Sequence, residues 1–479
     1  MERRNKKGKV IILGSGLGGL LAGVLLSRKN LEILLLKEKS YRPSHVREGF
    51  HFIPFSNFSE IRIKPTLLQE LSRISPLRLP VDAEEEGRQL KLAFDKTRRE
   101  IGFQVVLPNR RIDLFSDPSH SRREWRREFP NEVDRIENLY RELGHPQSLP
   151  FSPARSWIKR WFSFDRYPRE SIDEMLSIFS KDFRQFIHLQ LVSQSNLYSH
   201  RLPLVLSTSL LLNEEGSSPN LNAERLRKIL LDELISSGGE VEEIAGVEKV
   251  EFKWRKGIFL SPSGDQRTWQ GDSLILNSPF HRLRGFMGEK KGRLWPKWGK
   301  KVQPRYGLFP VFLGIREEVV PVGMKDHLVS LLDSDKPVEG GNVLFITLSP
   351  KGNTNQAPEK KRALVAEGLI PFGKWDQVST EEQQKGVMRH LHHLIPFLDR
   401  YVEFEDSGYG KEQISCWSYP HFLYETTYPF RRQEGVVPTQ LTKNLYFVGK
   451  ESFPHFGLGG EILGGWKVAQ QILKSFNRI

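Results

Sequence analysis

The sequence predicts an α/β fold built on a parallel sheet with a phosphate-type glycine turn, and two segments at opposite ends of the chain predict it. Near the amino terminus, KVIILGSGLGGLLAGVLLSR, starting at Lys9, reads as strand, glycine turn and helix. In the last forty residues, NLYFVGKESFPHFGLGGEILGGWKVAQQILKSF reads as strand, Gly- and Pro-rich loop and helix.

From Val10 to Leu26, seventeen residues pass without a charge, after Lys6, Lys7 and Lys9. A secretory signal shares the basic start and the apolar stretch, but Ser27-Arg28-Lys29-Asn30 follows with no small-residue cleavage site. A bilayer span needs about 20 apolar residues. Gly14, Gly16, Gly18, Gly19 and Gly23 fall in this stretch, and each costs up to about 1 kcal/mol in a helix interior. A buried strand from Lys9 to Leu13, a turn from Gly14 to Gly19 and a helix from Leu20 to Arg28 accommodate them. The turn matches G-x-G-x-x-G at Gly14, Gly16 and Gly19, with Ser15 and Gly18 between. The first glycine permits the bend, the second lets a pyrophosphate approach the backbone, and the third lets helix and strand pack closely. The helix start then offers free N–H groups and a positive dipole end. Leu31 to Leu36 supplies a second strand, and Glu38, 24 residues after Gly14 and followed by Lys39, stands where an acid takes a ribose hydroxyl. The segment predicts a Rossmann-type dinucleotide site; a structural glycine turn or a signal peptide is the alternative.

At 479 residues the chain has room for two or three domains of roughly 150 residues. Its mean hydropathy of -0.45 and the lack of a span-length apolar run predict a soluble, cytoplasmic protein. The single cysteine, Cys416, excludes an internal disulfide and a cysteine-built metal cluster. The net charge of +14 favours an anionic surface. No zinc spacing, helix-turn-helix signature or RNP-type strand is present, so nucleic acid is not an expected partner. Two clusters mix cations with tryptophan: KKGRLWPKWGKKVQPR at 290–305, with Trp295 and Trp298, and RSWIKRWF at 155–162, with Trp157 and Trp161. That mixture suits the headgroup layer of an anionic membrane, so peripheral membrane contact is expected. Ordinary solvated faces are the alternative.

At the other end, Leu445 to Val448 reads as a strand ending on Gly449, and a helix runs from near Gly460 to about Ser475. Asn444-Leu445-Tyr446-Phe447-Val448-Gly449, then Pro454, Gly457, Gly460 and Gly464-Gly465, resemble the C-terminal pattern of one branch of the flavin-dependent amine oxidase-like superfamily: the phytoene desaturases and carotenoid isomerases. In the middle, SSGGEVEEIAGVEKVEF and the turn Asn277-Ser278-Pro279 resemble that family's adenine-side strand and the turn after it. The resemblance implies FAD lying between the two ends of the chain. It makes Gly14, Ser15, Gly16, Gly18, Gly19, Glu38 and Lys39 the pyrophosphate and ribose contacts and Val247 the adenine-side position. Gly449 and Glu451 become the ribityl-side positions, and the backbone of Gly459, Gly460 and Glu461 the contact near the flavin ring. It also implies a discontinuous FAD-binding domain over 1–60, 195–280 and 435–479, with an inserted α+β substrate domain over 61–194 and 281–434.

The departures from the family pattern are specific. Arg42-Pro43-Ser44-His45-Val46 replaces P-G-G-R, so a bulky Ser44-His45 pair stands where glycines approach the cofactor. Lys450, with Glu451 beside it, replaces the Asp that binds the ribityl chain, and Ser217-Ser218-Pro219-Asn220 replaces a G-G pair.

Leu226 to Ser236 has helical spacing and stops at Gly238-Gly239. Phe309 to Ile315 reads as a strand buried on both sides, a floor for an apolar cavity. Asp117 to Leu143 is helical and charged. His390, His392 and His393 lack an acidic or thiol partner at ligand spacing, so no metal is expected. His455, in the loop before the last helix, is the one candidate for acid or base work; a loop histidine bonded to backbone is the alternative.

With no nucleophile triad or carboxylate pair in view, the expected function is an FAD-dependent oxidoreductase acting on an apolar isoprenoid or polyene at a membrane surface. Two alternatives remain open: a flavin amine oxidase, and a non-catalytic prenyl-lipid-binding escort on the same fold.

Overall fold

The computed structural model describes residues 9–39, 45–54, 94–95, 103–115, 118–144, 172–198, 211, 220–221, 223–253, 257–263, 267–280, 302–374, 377, 379–406, 422–426, 436–454 and 457–476. Ser44, Cys416, His455 and nearly all of both cationic clusters lie outside them.

The first sheet contains β1 (Lys9–Leu13), β2 (Glu32–Glu38), β9 (Glu240–Ile244), β13 (Ser273–Leu276), β20 (Gln440–Thr442) and β21 (Leu445–Phe447). Their order is β20-β21-β13-β1-β2-β9, parallel except for β20. Its inner strands β1, β13 and β21 are apolar almost end to end because both faces are covered, while the edge strands β9 and β20 carry polar residues. Strand alternation divides the faces. Val10, Ile12, Ile33, Leu35 and Ile275 meet helices α1 (Leu17–Ser27), α6 (Ala223–Ser236) and α8 (Gly457–Phe476). Ile11, Leu13, Leu34, Leu36 and Leu274 share a core with the antiparallel strands β10 (Val247–Lys253), β11 (Gly257–Pro262) and β12 (Trp269–Gly271). The first helix thus begins at Leu17, three residues ahead of the sequence expectation, because Gly18 and Gly19 serve as its first turn rather than as loop.

The second sheet has eight strands. Its path runs β18 (Val402–Asp406), β14 (Val302–Arg316), β17 (Lys361–Pro371), β16 (Val343–Leu348), β15 (His327–Leu331), β6 (Phe103–Leu107) and β7 (Arg110–Leu114), with β19 (Phe422–Thr426) also on β14. The strand expected at Phe309–Ile315 is the middle of β14, which pairs with β17 from Tyr306 to Arg316. Its odd residues Phe309, Val311, Leu313 and Ile315 bury against α7 (Thr380–Leu394), and Phe312 faces the hairpin of β3 (His45–Arg47) and β4 (Phe50–Phe52). Gly314 leaves room for the Phe50 ring, which a Cβ there would meet at 2.5 Å.

The charged stretch at 117–143 forms two helices, α2 (Pro118–Glu128) and α3 (Val133–Gly144), parted at Pro130. Trp125 stacks on Tyr140 at 4.5 Å, and Phe129 packs on Phe183 of α5 (Lys181–Gln194). The arginines remain outside, as a solvated face requires. A short helix α4 (Ile172–Leu176) and the pair β5 (Phe94–Asp95) with β8 (Asn220–Leu221) complete the described elements. No helix among the described residues is long and apolar enough to cross a membrane.

Helices α1 and α8 cross backbone to backbone. A Cβ on Gly465 would overlap the carbonyl oxygen of Gly18 and reach its Cα at 2.8 Å, whereas a Cβ on neighbouring Gly464 would meet Val448 at an ordinary 3.6 Å. Gly465→Ala is therefore expected to lose about 1–3 kcal/mol to overpacking. Gly464→Ala gains up to about 1 kcal/mol from helix propensity. Thermal unfolding of the two variants reads the difference; equal effects would mean the crossing is not tight.

Candidate functional site

The sheet order places β13 and β2 on opposite sides of β1, so the strand order reverses there, and the carboxyl ends of these strands are where a sheet of this kind takes a ligand. Gly14 makes the turn with φ +109°, a conformation that L side chains rarely adopt, and its N–H donates to Leu36 O at 2.9 Å. Gly16 is the N-cap of α1 and supplies no side-chain cap; the first turn carries no acid of its own. Asn277 ties three strand tips together. Its N–H donates to Leu13 O at 2.8 Å and its Nδ2 to Val448 O at 2.7 Å. That leaves its Oδ1 buried without a hydrogen-bond partner, facing Gly16 and Gly19.

The carboxylate of Glu461, from the start of α8, stands at the mouth of α1. Its Oε1 accepts from Gly18 N–H and from Asn277 Nδ2, each at 3.3 Å, and a Cβ on Gly16 would overlap it. Arg227 of α6 donates from Nε to Ser15 O at 3.2 Å. Lys450 is buried nearby. Burial pulls its ammonium below the usual lysine range, the Glu461, Glu451 and Glu367 carboxylates pull it back up, and Arg227 pushes it further down. Glu367 comes from β17, so the second sheet contributes charge to the same place. Glu451 is 1% exposed and accepts from the Tyr424 hydroxyl at 2.7 Å and from Phe280 N–H at 2.8 Å. Burial pushes its carboxyl up against the opposing pull of those hydrogen bonds.

The structure brings Gly14, Ser15, Gly16, Gly18 and Gly19 together with Glu461. Glu461 meets α1 through its side chain as well as its backbone, whereas the sequence reading expected its backbone near the flavin ring and gave its side chain no role. Glu38 ends β2, buried beside Ile244, and Lys39 N–H donates to Ile244 O at 2.8 Å. Val247 opens β10 inside the core of that region. Gly449 leaves space that a Cβ would fill within 2.8 Å of Glu451 Oε2. Gly459 is half-buried, but Gly460 packs against the carbonyl of Phe453, so its bareness serves the loop. His45 does not stand at the glycine turn: it lies between Phe52 and Phe312 with Nε2 3.1 Å from Asp406 Oδ2, on the second sheet. His390 is buried between Ser330 Oγ and Gly341 O, and burial lowers it to about 4.

Sequence reasoning missed Arg227, Tyr424 and Glu367, which belong to elements with no motif, and read Asn277 only as a turn residue. The backbone cradle fits the pyrophosphate of FAD: it is bare glycine at a helix N-terminus, and the atoms beside Gly16 belong to the Glu461 and Asn277 side chains rather than to backbone.

Because Glu451 is raised by burial, the stability linked to it is present below its ordinary value of 4.5 and is lost as pH rises through its folded value. Glu451→Gln keeps an acceptor for Tyr424 and Phe280 without the charge. In chemical denaturation its stability relative to the parent should rise as pH rises above 4.5, by up to about 1.4 kcal/mol for each tenfold fall in proton concentration. A pH-independent difference would mean burial does not strain this carboxyl.

No family model matches the chain. The chloroplastic prolycopene isomerase of Arabidopsis thaliana is 21% identical over 508 residues, spanning 96% of this chain and 82% of that protein. Among solved structures, an oxidoreductase from Methanosarcina mazei is similar with TM-score 0.59 at 14% identity, over 95% of this chain and 99% of that one. A putrescine oxidase redesigned in its cofactor binding matches with TM-score 0.59 at 14% identity, over 98% and 99%. A RAB GDI from Plasmodium falciparum matches with TM-score 0.54 at 12% identity, over 97% and 98%. The chain thus shares its fold with solved oxidoreductases, amine oxidases among them, and with a RAB GDI, and its sequence likeness is to a prolycopene isomerase.

Proposed function

We propose that the chain is an FAD-dependent oxidoreductase of desaturase, dehydrogenase or isomerase type whose substrate is an apolar isoprenoid or polyene. The observation that carries this reading is the bare glycine N-terminus of α1, at the place where the tips of β1, β13 and β21 converge. The likeness to a prolycopene isomerase supports the substrate class. In this reading FAD supplies two-electron redox chemistry.

The chain's own residues bind, orient and exclude water. The bare turn at Gly14 and the backbone N–H groups from Ser15 to Gly19 hold the pyrophosphate, Glu38 takes a ribose hydroxyl with Lys39 beside it, and Val247 lines the adenine side. Gly449, Glu451 and Gly459–Glu461 lie toward the ring, with Tyr424 fixing the orientation of Glu451. The apolar strands β14 and β19 form the wall on the substrate side. The proposed division assigns 1–60, 195–280 and 435–479 to the cofactor domain and 61–194 and 281–434 to the substrate domain. Within it, the hairpin of β3 and β4 packs on the substrate-side sheet. The cation and tryptophan clusters at 155–162 and 290–305 would dock the protein on anionic lipid, from which an apolar substrate is taken.

The escort reading is favoured by one observation: a carboxylate of the chain itself stands at the N-terminus of α1. Reconstitution separates the two. Protein incubated with FAD and freed of excess should show absorption near ~375 and ~450 nm, the bands of bound flavin. Gly16→Val should remain folded and lose them, since a side chain there fills the pyrophosphate space. A colourless parent whose melting temperature ignores FAD would discard the enzyme reading in favour of the escort.

A further inference from the structure

The N-terminus of a helix leaves N–H groups unpaired and carries partial positive charge, so it attracts an anion. In α1 the anion comes from the far end of the chain: Gly18 N–H and Glu461 are 443 residues apart. This is not a local cap, because neither Gly16 nor the first turn supplies one. Nor is it a well-satisfied core contact. Both hydrogen bonds to Glu461 Oε1 are 3.3 Å long, beyond the usual range for N–H donors to a carboxylate. Beside them the Oδ1 of Asn277 is buried, faces the same glycines and has no donor. A carboxylate only 5% exposed pays for desolvation unless its bonds are good, so this arrangement holds its anion loosely.

Shape gives the second argument. Around Gly16, the atoms that a Cβ would meet are the Glu461 carboxylate and the Asn277 amide, both side chains. The backbone walls of the cradle are the Asn277 carbonyl over Gly14 and the Glu461 carbonyl over Gly18. Rotation of one glutamate side chain therefore withdraws the carboxylate from beside Gly16 without moving a strand or a helix, and leaves the Asn277 amide in place. Lys450 remains beside it as counter-charge, whichever anion is present.

We infer that Glu461 is a built-in stand-in for phosphate: its carboxylate, held by the Gly18 N–H, and the pyrophosphate of a dinucleotide compete for the N-terminus of α1, and binding requires the side chain to swing out. The identity of the ligand rests on the flavin reading above; the competition itself rests on the contacts of Glu461. Glu461 thereby sets the affinity of the site, lowering it for every phosphate ligand while holding α1 against α8 in the ligand-free protein.

The test uses Glu461→Gln and Glu461→Ala in the full chain, with FAD binding followed by fluorescence quenching and inorganic pyrophosphate binding by calorimetry. The glutamine variant keeps the size of the side chain and removes the repelling charge, so both ligands should bind it about tenfold or more tightly than the parent, roughly 1.4 kcal/mol. The alanine variant should melt lower without ligand and recover with pyrophosphate. If the parent binds FAD and the glutamine variant binds it equally or more weakly, the stand-in is overturned and the flavin reading survives. If only pyrophosphate gains affinity and neither protein takes FAD, the stand-in holds and the flavin reading falls. Absence of binding by either ligand to either protein overturns both.

Discussion

The crossing of α1 and α8 sets the terms for everything at the strand tips. Two helices ordinarily pack with axes 8–10 Å apart, separated by their side chains. Here Gly18 and Gly465 remove the side chains at the point of contact, and the backbones meet. That approach brings Glu461, one turn earlier on α8, within hydrogen-bonding reach of the first turn of α1. It also brings Val448, at the end of β21, over Gly18. The cradle is therefore a product of helix packing as much as of the glycine turn.

Asn277 completes the assembly by linking strands that the chain visits far apart. With its N–H on Leu13 and its amide on Val448, it connects residues separated by most of the chain and fixes the spacing of β1, β13 and β21 at their carboxyl ends. Charge then accumulates where these elements meet. Lys450 is kept in a dry place by three carboxylates from three directions, Glu451 by a hydroxyl from β19 and an N–H from Phe280. Buried charges are costly alone and tolerable only in such company. Each partner comes from a different element, so the cluster forms only when the two sheets are docked. Asn196 N–H on Pro454 O and the pairing of Leu197 with Tyr424 bind the same junction through backbone.

What the sequence made legible was local. The strand from Lys9, the turn at Gly14 and the helix after it could be read because their signals lie within one short stretch, and the apolar period of β14 showed through its middle. The second sheet was hidden, since antiparallel pairing of β14 with β17 over eleven residue pairs leaves no motif at either strand. His45 illustrates the limit well. Its place in the chain set it beside the cofactor in the sequence reading, but did not show that it packs with Phe52 and Phe312 near Asp406. Glu461 was read as a backbone contact, since nothing in the sequence tells which way a glutamate at a helix start points.

The same residues show why degeneration of a cofactor motif need not unmake its fold. Lys450 stands where the family pattern has an acid, and the Glu461 carboxylate acts electrostatically on its ammonium. At the N-terminus of α1 the protein's own carboxylate takes the Gly18 N–H. A fold arranged in this way stands with its cradle closed by a side chain, and the free energy of binding any phosphate is the difference between two anions competing for one helix end. That difference, rather than the presence or absence of the glycine signature, decides whether a chain of this fold holds a cofactor.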